Sequence, residues 1–138
     1  MKRFLFLAFL LLTSAAQAGE SLKPPWSLAY SDGSANRYRF GQDTKGGETQ
    51  FEYLPIRPEE SSTGTYSGGE ARQGRLDAKQ TAQLQQWLGK LEKNKALHTA
   101  DRAKGTGAFT LNSGDETRSF IIQDSPELRD FNEFLKKL

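Results

Sequence analysis

Apolar residues alternate with polar ones in five short stretches of the chain, and this is the pattern of half-buried β-strands. The five stretches are 26–30, 37–40, 51–54, 108–111 and 117–122. Glycine, asparagine, aspartate and serine fill the connections after the first and the fourth stretch, which predicts two β-hairpins. We expect a core rich in rings, because the inward positions of the strands are largely aromatic. They include Trp26, Tyr38, Phe40, Phe51, Tyr53, Phe109 and Phe120.

A period of 3.6 residues replaces the alternation in two other stretches, and each of them predicts an amphipathic helix. The first helix is predicted from 78 to about 93, because Asp77 and Gln80 form a capping box at its start. The second is predicted to begin at Ser125, which is followed by a proline at the first helical position. The apolar stripes are Leu84, Trp87, Leu88 and Leu91 in the first helix and Leu128, Phe131, Leu135 and Leu138 in the second.

These elements predict a single α+β domain over 26–138, with the order β-β-β-loop-α-β-β-α. One antiparallel sheet of about five strands, with both helices on one face, would bury every apolar stripe. An unstructured lead-in is predicted before it at 19–25, because Pro24 and Pro25 block helix formation and hold the chain extended.

Residues 1–18 have the three parts of a secretory signal peptide, which are a basic start, an apolar run and a small-x-small cleavage motif. The apolar run, Phe4 to Leu12, is too short to cross a bilayer as a helix. Cleavage is predicted after Ala18, and Gly19 rather than a lipid-accepting cysteine follows the cut. We therefore expect an exported protein, periplasmic or extracellular, with no membrane anchor, and a bacterial source fits this short signal best.

Removal of the signal peptide changes the charge of the chain. The full sequence has 19 Lys+Arg and 17 Asp+Glu; loss of Lys2 and Arg3 leaves 19 − 2 = 17 basic residues against 17 acidic ones. A net charge of zero gives no general attraction to nucleic acid or to anionic lipid, so neither is an expected partner. The sequence has no cysteine, so the fold depends on packing rather than on disulfides.

The stretch SSTGTYSGGEARQG, residues 61–74, lies within a long loop without periodicity that we predict at 57–75. Loops of this length in a compact domain are commonly functional or disordered. A single aromatic residue among serine, threonine and glycine is the composition of antibody paratopes. A disordered connector is the alternative interpretation. Pro55, Pro58 and a short strand at 74–76 would tether the loop to the sheet.

The sequence favours a non-enzymatic binding module whose partner is another exported protein, and a protein inhibitor of a secreted or periplasmic enzyme is one such module. The predicted binding residues are Tyr66 as the anchor, Ser67, Gly68, Gly69, and the flanking Arg72 and Arg75.

Two other functions are left open by the residues. A small hydrolase would need His98, the single histidine, beside a loop serine such as Ser67, with Asp101 to orient the imidazole. A carrier would hold a small ligand on the aromatic face of the sheet. No cofactor or metal site is predicted, because cysteine is absent, histidine is single and no phosphate-binding motif has the required spacing.

The C-terminal half of the chain resembles a known family in the order of its elements. From Tyr66 onward the chain has "YSGG", a short strand, the helix "AKQTAQLQQWLGKL", the hairpin "GAFTLNSGDETRSFII" and the helix "PELRDFNEFLKKL". This order resembles that of emfourin, a small bacterial protein inhibitor of thermolysin-type metalloproteases. The N-terminal strands and the export signal depart from it, and the resemblance assigns no inhibitory residue. It implies an inhibitor or a binding module.

Overall fold

The computed structural model describes residues 22–138, so the predicted signal peptide and the first residues of the predicted lead-in lie outside the described residues. The described chain forms one antiparallel sheet of seven strands in the order β4-β3-β2-β1-β6-β7-β5, together with two α-helices. The strands are β1 (Trp26–Ser31), β2 (Arg37–Gln42), β3 (Thr49–Leu54), β4 (Arg72–Leu76), β5 (His98–Thr99), β6 (Gly107–Ser113) and β7 (Glu116–Ile122). The helices are α1 (Ala78–Lys93) and α2 (Pro126–Lys136).

The predicted α+β class is confirmed, but the sheet has seven strands where the sequence predicts about five. One of the two further strands is β4, which extends the short strand predicted at 74–76 back to Arg72 and pairs with β3, so the predicted loop ends at residue 71 rather than 75. The other is the two-residue strand β5, which pairs with β7 at the opposite edge. Neither has the alternation of a half-buried strand, because β4 places Arg72 and Gly74 on the inner face and β5 is too short.

Both helices pack on the same face of the sheet. The ring of Phe131, on α2, lies 5.2 Å from the ring of Tyr30 and 5.9 Å from that of Trp87 on α1. Thr81 of α1 donates a hydrogen bond to the buried Thr49 of β3 at 2.8 Å. The outer face of the sheet is polar, and its exposed side chains include Ser27, Arg39, Gln50, Gln73 and Arg75.

The helix starts that the sequence predicts are present. The backbone N–H of Gln80 donates to Asp77 Oδ1 at 2.7 Å, and the N–H of Asp77 donates to Gln80 Oε1 at 3.0 Å, which completes the capping box. The hydroxyl of Ser125 accepts from the N–H of Leu128 at 3.3 Å. Within the described residues, no helix is both long and apolar enough to span a bilayer.

The strand pairings bring four connecting segments to one end of the sheet. At this end Arg37 pairs with both Ser31 and Leu54, and Tyr53 pairs with Arg72. The β1–β2 turn, the β3–β4 loop (55–71), the connection that precedes β6 and the start of α2 therefore lie together.

Candidate functional site

Hydrogen bonds fix the base of the β3–β4 loop to the sheet. The N–H of Gly68 donates to the carbonyl of Ile56 at 3.0 Å, which closes the loop at its neck. The hydroxyl of Tyr53, on β3, donates to the carbonyl of Gly68 at 2.6 Å. The hydroxyl of Tyr66 accepts from Asn36 Nδ2 at 3.1 Å, so the loop is also bonded to the β1–β2 turn. These bonds define the position of Tyr66 relative to the sheet.

The far part of the loop is organised by its own short-range bonds. A single 3₁₀ turn covers Pro58–Glu60, and the N–H of Arg57 donates to Glu60 Oε2 at 3.0 Å. This backbone hydrogen bond holds the pKa of the Glu60 carboxyl below its usual value, and the guanidinium of Arg57 adds to the effect. The hydroxyl of Ser61 accepts from the N–H of Tyr66 at 3.3 Å, which ties the aromatic residue to this turn.

Asn36 is the residue that joins the loop to the β1–β2 turn, and sequence reasoning missed it. Its side chain is buried, with an exposed fraction of 4%. Nδ2 donates to Asp32 Oδ2 at 3.0 Å and to the hydroxyl of Tyr66, and Oδ1 accepts from the N–H of Ile56 at 2.9 Å. The preceding Ala35 has a φ of 67°, a left-handed conformation that is unusual for alanine. An asparagine at the end of a polar turn was the only signal in the sequence.

Gly68 is required by the close approach of the loop to Asn36. A Cβ atom at residue 68 would lie 1.9 Å from Asn36 Oδ1 and 2.9 Å from Pro55 Cβ. Both distances are far below a van der Waals contact, so only glycine fits at this position.

The loop forms one wall of a surface cleft of about 760 Å³. Tyr66, Ser67 and Gly68 line this wall, and Asn132 and Lys136 of α2 also line the cleft. The ring of Tyr66 is 41% exposed, and no other large hydrophobic side chain of residues 22–138 is exposed. The cleft therefore combines an exposed aromatic rim with polar walls.

Arg72 lies within the cleft on the first residue of β4. Its Cζ atom lies 5.1 Å from the ring centroid of Tyr53 and 5.8 Å from that of Phe51, both on β3. Nη1 donates to the backbone oxygen of Leu138 at 3.1 Å, and the positive charge of the guanidinium opposes the rise in the pKa of Tyr38. Stacking and hydrogen bonding together fix the plane of the guanidinium.

The hydroxyls of Tyr38 and Tyr53, which line the cleft, are neutral at physiological pH. Burial raises the pKa of Tyr38 to about 12, and the neighbouring Tyr53 adds to the increase. Burial also raises the pKa of Tyr53 above its usual value. Both hydroxyls therefore keep their protons and serve as hydrogen-bond donors and acceptors rather than as bases.

The structure divides the predicted binding residues between two faces of the sheet. The cleft is lined by Tyr66, Ser67, Gly68 and Arg72. The next residue after Gly68 is Gly69, which has a φ of 94°. Arg75 lies on the outer face, because residues three apart on a strand point to opposite sides. There it forms an ion pair with Glu48 at 3.2 Å, and both side chains are exposed.

His98 lies on β5, at the other edge of the sheet from the loop. Its Nε2 is 3.0 Å from the carbonyl oxygen of Leu91, and its ring stacks on Phe120 with 5.2 Å between centroids. Five strand spacings, or roughly 24 Å, separate β3 from β5. The structure therefore does not bring His98 and Ser67 together, and the half-buried imidazole belongs to the packing of α1 against the sheet.

No group of three or more metal-ligating side chains is found in residues 22–138. A scan against models of known protein families, a search of curated proteins and a search of solved structures each returned no match to this chain. The resemblance to emfourin therefore stays a prediction. A function has to be inferred from the chemistry of the cleft.

Proposed function

We propose that this chain is an exported, non-enzymatic binding protein that holds another exported protein at the cleft below the β3–β4 loop. The observation that carries the proposal is Tyr66, an exposed aromatic side chain on a hydrogen-bonded loop at the rim of a polar cleft. Tyrosine is enriched among the residues that dominate binding energy at protein interfaces, because its ring buries a large area and its hydroxyl bonds at the same time.

The bonds at the neck of the loop favour binding because they reduce its entropic cost. A free loop loses conformational freedom when a partner orders it, whereas a loop that is already ordered loses little. The Gly68–Ile56 and Tyr53–Gly68 bonds hold the neck, and the Asn36–Tyr66 bond holds the anchor. A partner would therefore meet Tyr66 in one defined position.

The composition of the cleft supports a polypeptide partner over a small apolar ligand. A carrier needs an empty apolar cavity, and ligand pockets of drug size are lined mostly by hydrophobic side chains. The aromatic inner face of the sheet is instead filled by ring contacts, such as Tyr30 with Phe109 at 4.6 Å and Tyr38 with Tyr53 at 4.6 Å. The cleft itself presents backbone, hydroxyl, amide and charged groups, which match a polypeptide chain.

Affinity capture tests this function. The bait is the chain from Gly19, the predicted mature start, and the prey is the exported protein fraction of the source organism. A second bait carries Tyr66→Ala with Arg72→Ala, and the matched control carries Arg75→Ala on the outer face of the same strand. We expect a protein that is retained by the native and the Arg75→Ala baits and lost from the double variant. If all three baits retain the same proteins, or none retains any, the loop is a connector.

Inhibition of a metalloprotease is the specific form of binding that we propose from the resemblance to emfourin. The assay measures hydrolysis of a peptide substrate by thermolysin with increasing amounts of the mature chain. Inhibition that is lost with Tyr66→Ala and kept with Arg75→Ala supports it. Unchanged hydrolysis, together with a partner captured at the cleft, would leave the binding function in place and exclude inhibition of this protease.

A further inference from the structure

The sheet ends at β4 on the side of the cleft. In the part of the chain that the structure describes, β4 pairs with β3 on one side and has no strand on the other. Its residues Gln73, Gly74 and Arg75 are exposed. The first residue of the strand, Arg72, lines the cleft, so the open edge of the sheet continues directly from the cleft.

The backbone of β4 points alternately toward β3 and toward the open side, and the β1–β2 turn sets the phase of this alternation. The N–H of Asp32 donates to the carbonyl of Asn36 at 2.9 Å, so these two residues form a hydrogen-bonded pair. Hydrogen-bonded and non-hydrogen-bonded pairs alternate along antiparallel strands. When the alternation is followed through β2 and β3, Gly74 bonds to β3. The N–H and C=O groups of Gln73 and Arg75 therefore point to the open side.

The open side of β4 lacks the features that commonly block the addition of a strand. Edge strands are often protected by a lysine, a proline or a bulge. Residues 72–76 include no lysine and no proline, and they pair with β3 in an unbroken register. An inward-pointing charge is another protective feature, but the guanidinium of Arg72 lies over the ring of Tyr53 on β3, away from the open side. The backbone groups of Gln73 and Arg75 therefore remain accessible to an extended chain.

The opposite edge of the sheet also has open backbone, but it lies far from the cleft. The short strand β5 covers β7 at Ile121 and Ile122, and within residues 22–138 no strand lies beside the earlier part of β7 on that side. Five strand spacings, or roughly 24 Å, separate β7 from β4. A polypeptide held at Tyr66 can therefore continue along β4 and not along β7.

We propose that an extended segment of the partner pairs with β4 and adds an eighth strand to the seven-stranded sheet. This inference rests on the proposed binding function, because it names how the polypeptide at the cleft is held. The backbone groups of Gln73 and Arg75 specify a polypeptide, since an extended chain presents donors and acceptors at the same spacing.

The position of Gly74 indicates which side chain the added strand would carry. Side chains of a strand alternate between the two faces of a sheet, so the residue opposite Gly74 would point to the inner face. A Cβ placed at Gly74 would lie 3.7 Å from the ring of Phe51 and would meet no other group within 4 Å. The residue opposite Gly74 would therefore lie near this ring, and we expect it to be apolar or aromatic.

Proline substitutions test the inference, because proline removes a backbone N–H and places its ring where that N–H pointed. Random 12-residue peptides displayed on phage are selected on the chain from Gly19, and those whose binding is weakened by Tyr66→Ala are synthesised. Fluorescence anisotropy then measures their binding to the native chain, Gln73→Pro and Arg75→Pro, with Gln73→Ala and Arg75→Ala as matched controls. We expect each proline variant to bind roughly tenfold to a hundredfold more weakly than the native chain. Each alanine variant should bind within about twofold of it, because alanine keeps the N–H.

Amide hydrogen exchange, followed by NMR, tests the inference on the native chain without a substitution. In the free chain the N–H groups of Gln73 and Arg75 face water, whereas that of Gly74 bonds to β3. A saturating peptide should slow exchange at Gln73 and Arg75 at least roughly tenfold. The amides of Thr117 and Ser119, on β7, should exchange at the same rate with and without peptide. Thermal unfolding checks that the proline variants fold, which we expect because a proline is tolerated where the N–H of an edge strand faces solvent.

The outcomes separate this inference from the proposed function. Peptides that depend on Tyr66 but bind both proline variants as tightly as the native chain would refute strand addition and leave the binding function standing. Unchanged exchange at Gln73 and Arg75 would do the same. A native dimer in light scattering that Arg75→Pro converts to a monomer would place a second copy of the chain on β4 and overturn the inference. Failure to select any peptide that depends on Tyr66 would contradict both strand addition and a cleft that recognises polypeptide segments.

Discussion

At the scale of single residues, Asn36 connects parts of the chain that are distant in sequence. Its side chain bonds to Asp32 in its own turn, to Ile56 at the neck of the loop and to Tyr66 at the rim of the cleft. All of its hydrogen-bonding atoms are used, and an unpaired buried amide would cost about 1–3 kcal/mol. Asn36 therefore positions Tyr66 without any need to touch a partner itself.

Gly68→Ala is the substitution that separates this loop from Asn36. The added Cβ would lie 1.9 Å from Asn36 Oδ1, so we expect the loop to move and the free energy of unfolding to fall by about 1–3 kcal/mol. Faster chymotryptic cleavage after Tyr66, together with chemical-shift changes at the Asn36 and Ile56 amides, would report the movement. The matched control is Gly74→Ala, whose Cβ meets only Phe51, at 3.7 Å. Equal cleavage rates for both variants would contradict the prediction.

The buried tyrosines predict a loss of stability at alkaline pH. Burial raises the pKa of Tyr38 to about 12 and also raises that of Tyr30, whereas an unfolded tyrosine has a pKa near 10. The unfolded chain therefore loses these protons first. Stability should be constant up to about pH 10 and should fall as the pH rises from 10 to 12.

Thermal unfolding between pH 8 and 12, with tyrosinate absorbance followed in parallel, measures this dependence. Tyr38→Phe removes one of the tyrosines with a raised pKa, which also include Tyr30 and Tyr53, and should make the fall less steep above pH 10. An unfolding temperature in Tyr38→Phe that follows the native curve across the whole range would show that Tyr38 does not contribute.

At the scale of the elements, α2 contributes side chains both to the hydrophobic core and to the lining of the cleft. Phe131 lies 5.2 Å from the ring of Tyr30, 5.5 Å from that of Phe109 and 5.9 Å from that of Trp87, so it contacts two strands and α1. Phe131→Ala should lower the free energy of unfolding by about 3–5 kcal/mol in urea titration. Phe134→Ala, on the same helix but half-buried, should cost less. A smaller effect for Phe131→Ala would indicate that α2 can repack.

The elements also show what sequence patterns can and cannot predict. The capping box at Asp77 and the alternation in β1, β2, β3, β6 and β7 are local, so the sequence predicts them well. The strand β4 carries no such pattern because Arg72 points to the core side, where it stacks on Tyr53. An arginine at an inward position interrupts the period that identifies a strand.

From the sequence, only the residue types of the candidate site could be predicted, and not the contacts that assemble it. The glycine, serine and tyrosine content of the loop indicated Tyr66 as an anchor, and the structure exposes that ring at the rim of a cleft. The role of Asn36 depends on bonds to residues 20 and 30 positions away, which no local pattern contains. The separation of Arg72 from Arg75 required the register of β4 against β3.

At the scale of the whole molecule, the cleft depends on segments that only the folded chain assembles. A free peptide with the sequence of residues 61–74 lacks Asn36, the neck bond to Ile56 and the wall from α2. We expect this peptide to compete for the captured partner at least roughly a hundredfold more weakly than the intact domain, because it must be ordered on binding. Competition in the capture assay measures this, and equal potency would mean that the loop acts without the fold.

The hydrogen bond between Gly68 and Ile56 also has a consequence for protein engineering. It closes the neck of the loop, and the Tyr53 and Asn36 bonds lie at or below that neck. Residues 57–65 therefore lie outside the sheet and its helices, in the manner of a complementarity-determining loop on an immunoglobulin frame. A library randomised over this segment, in a frame that has no cysteine to mispair, would make the domain a small scaffold for selecting binders.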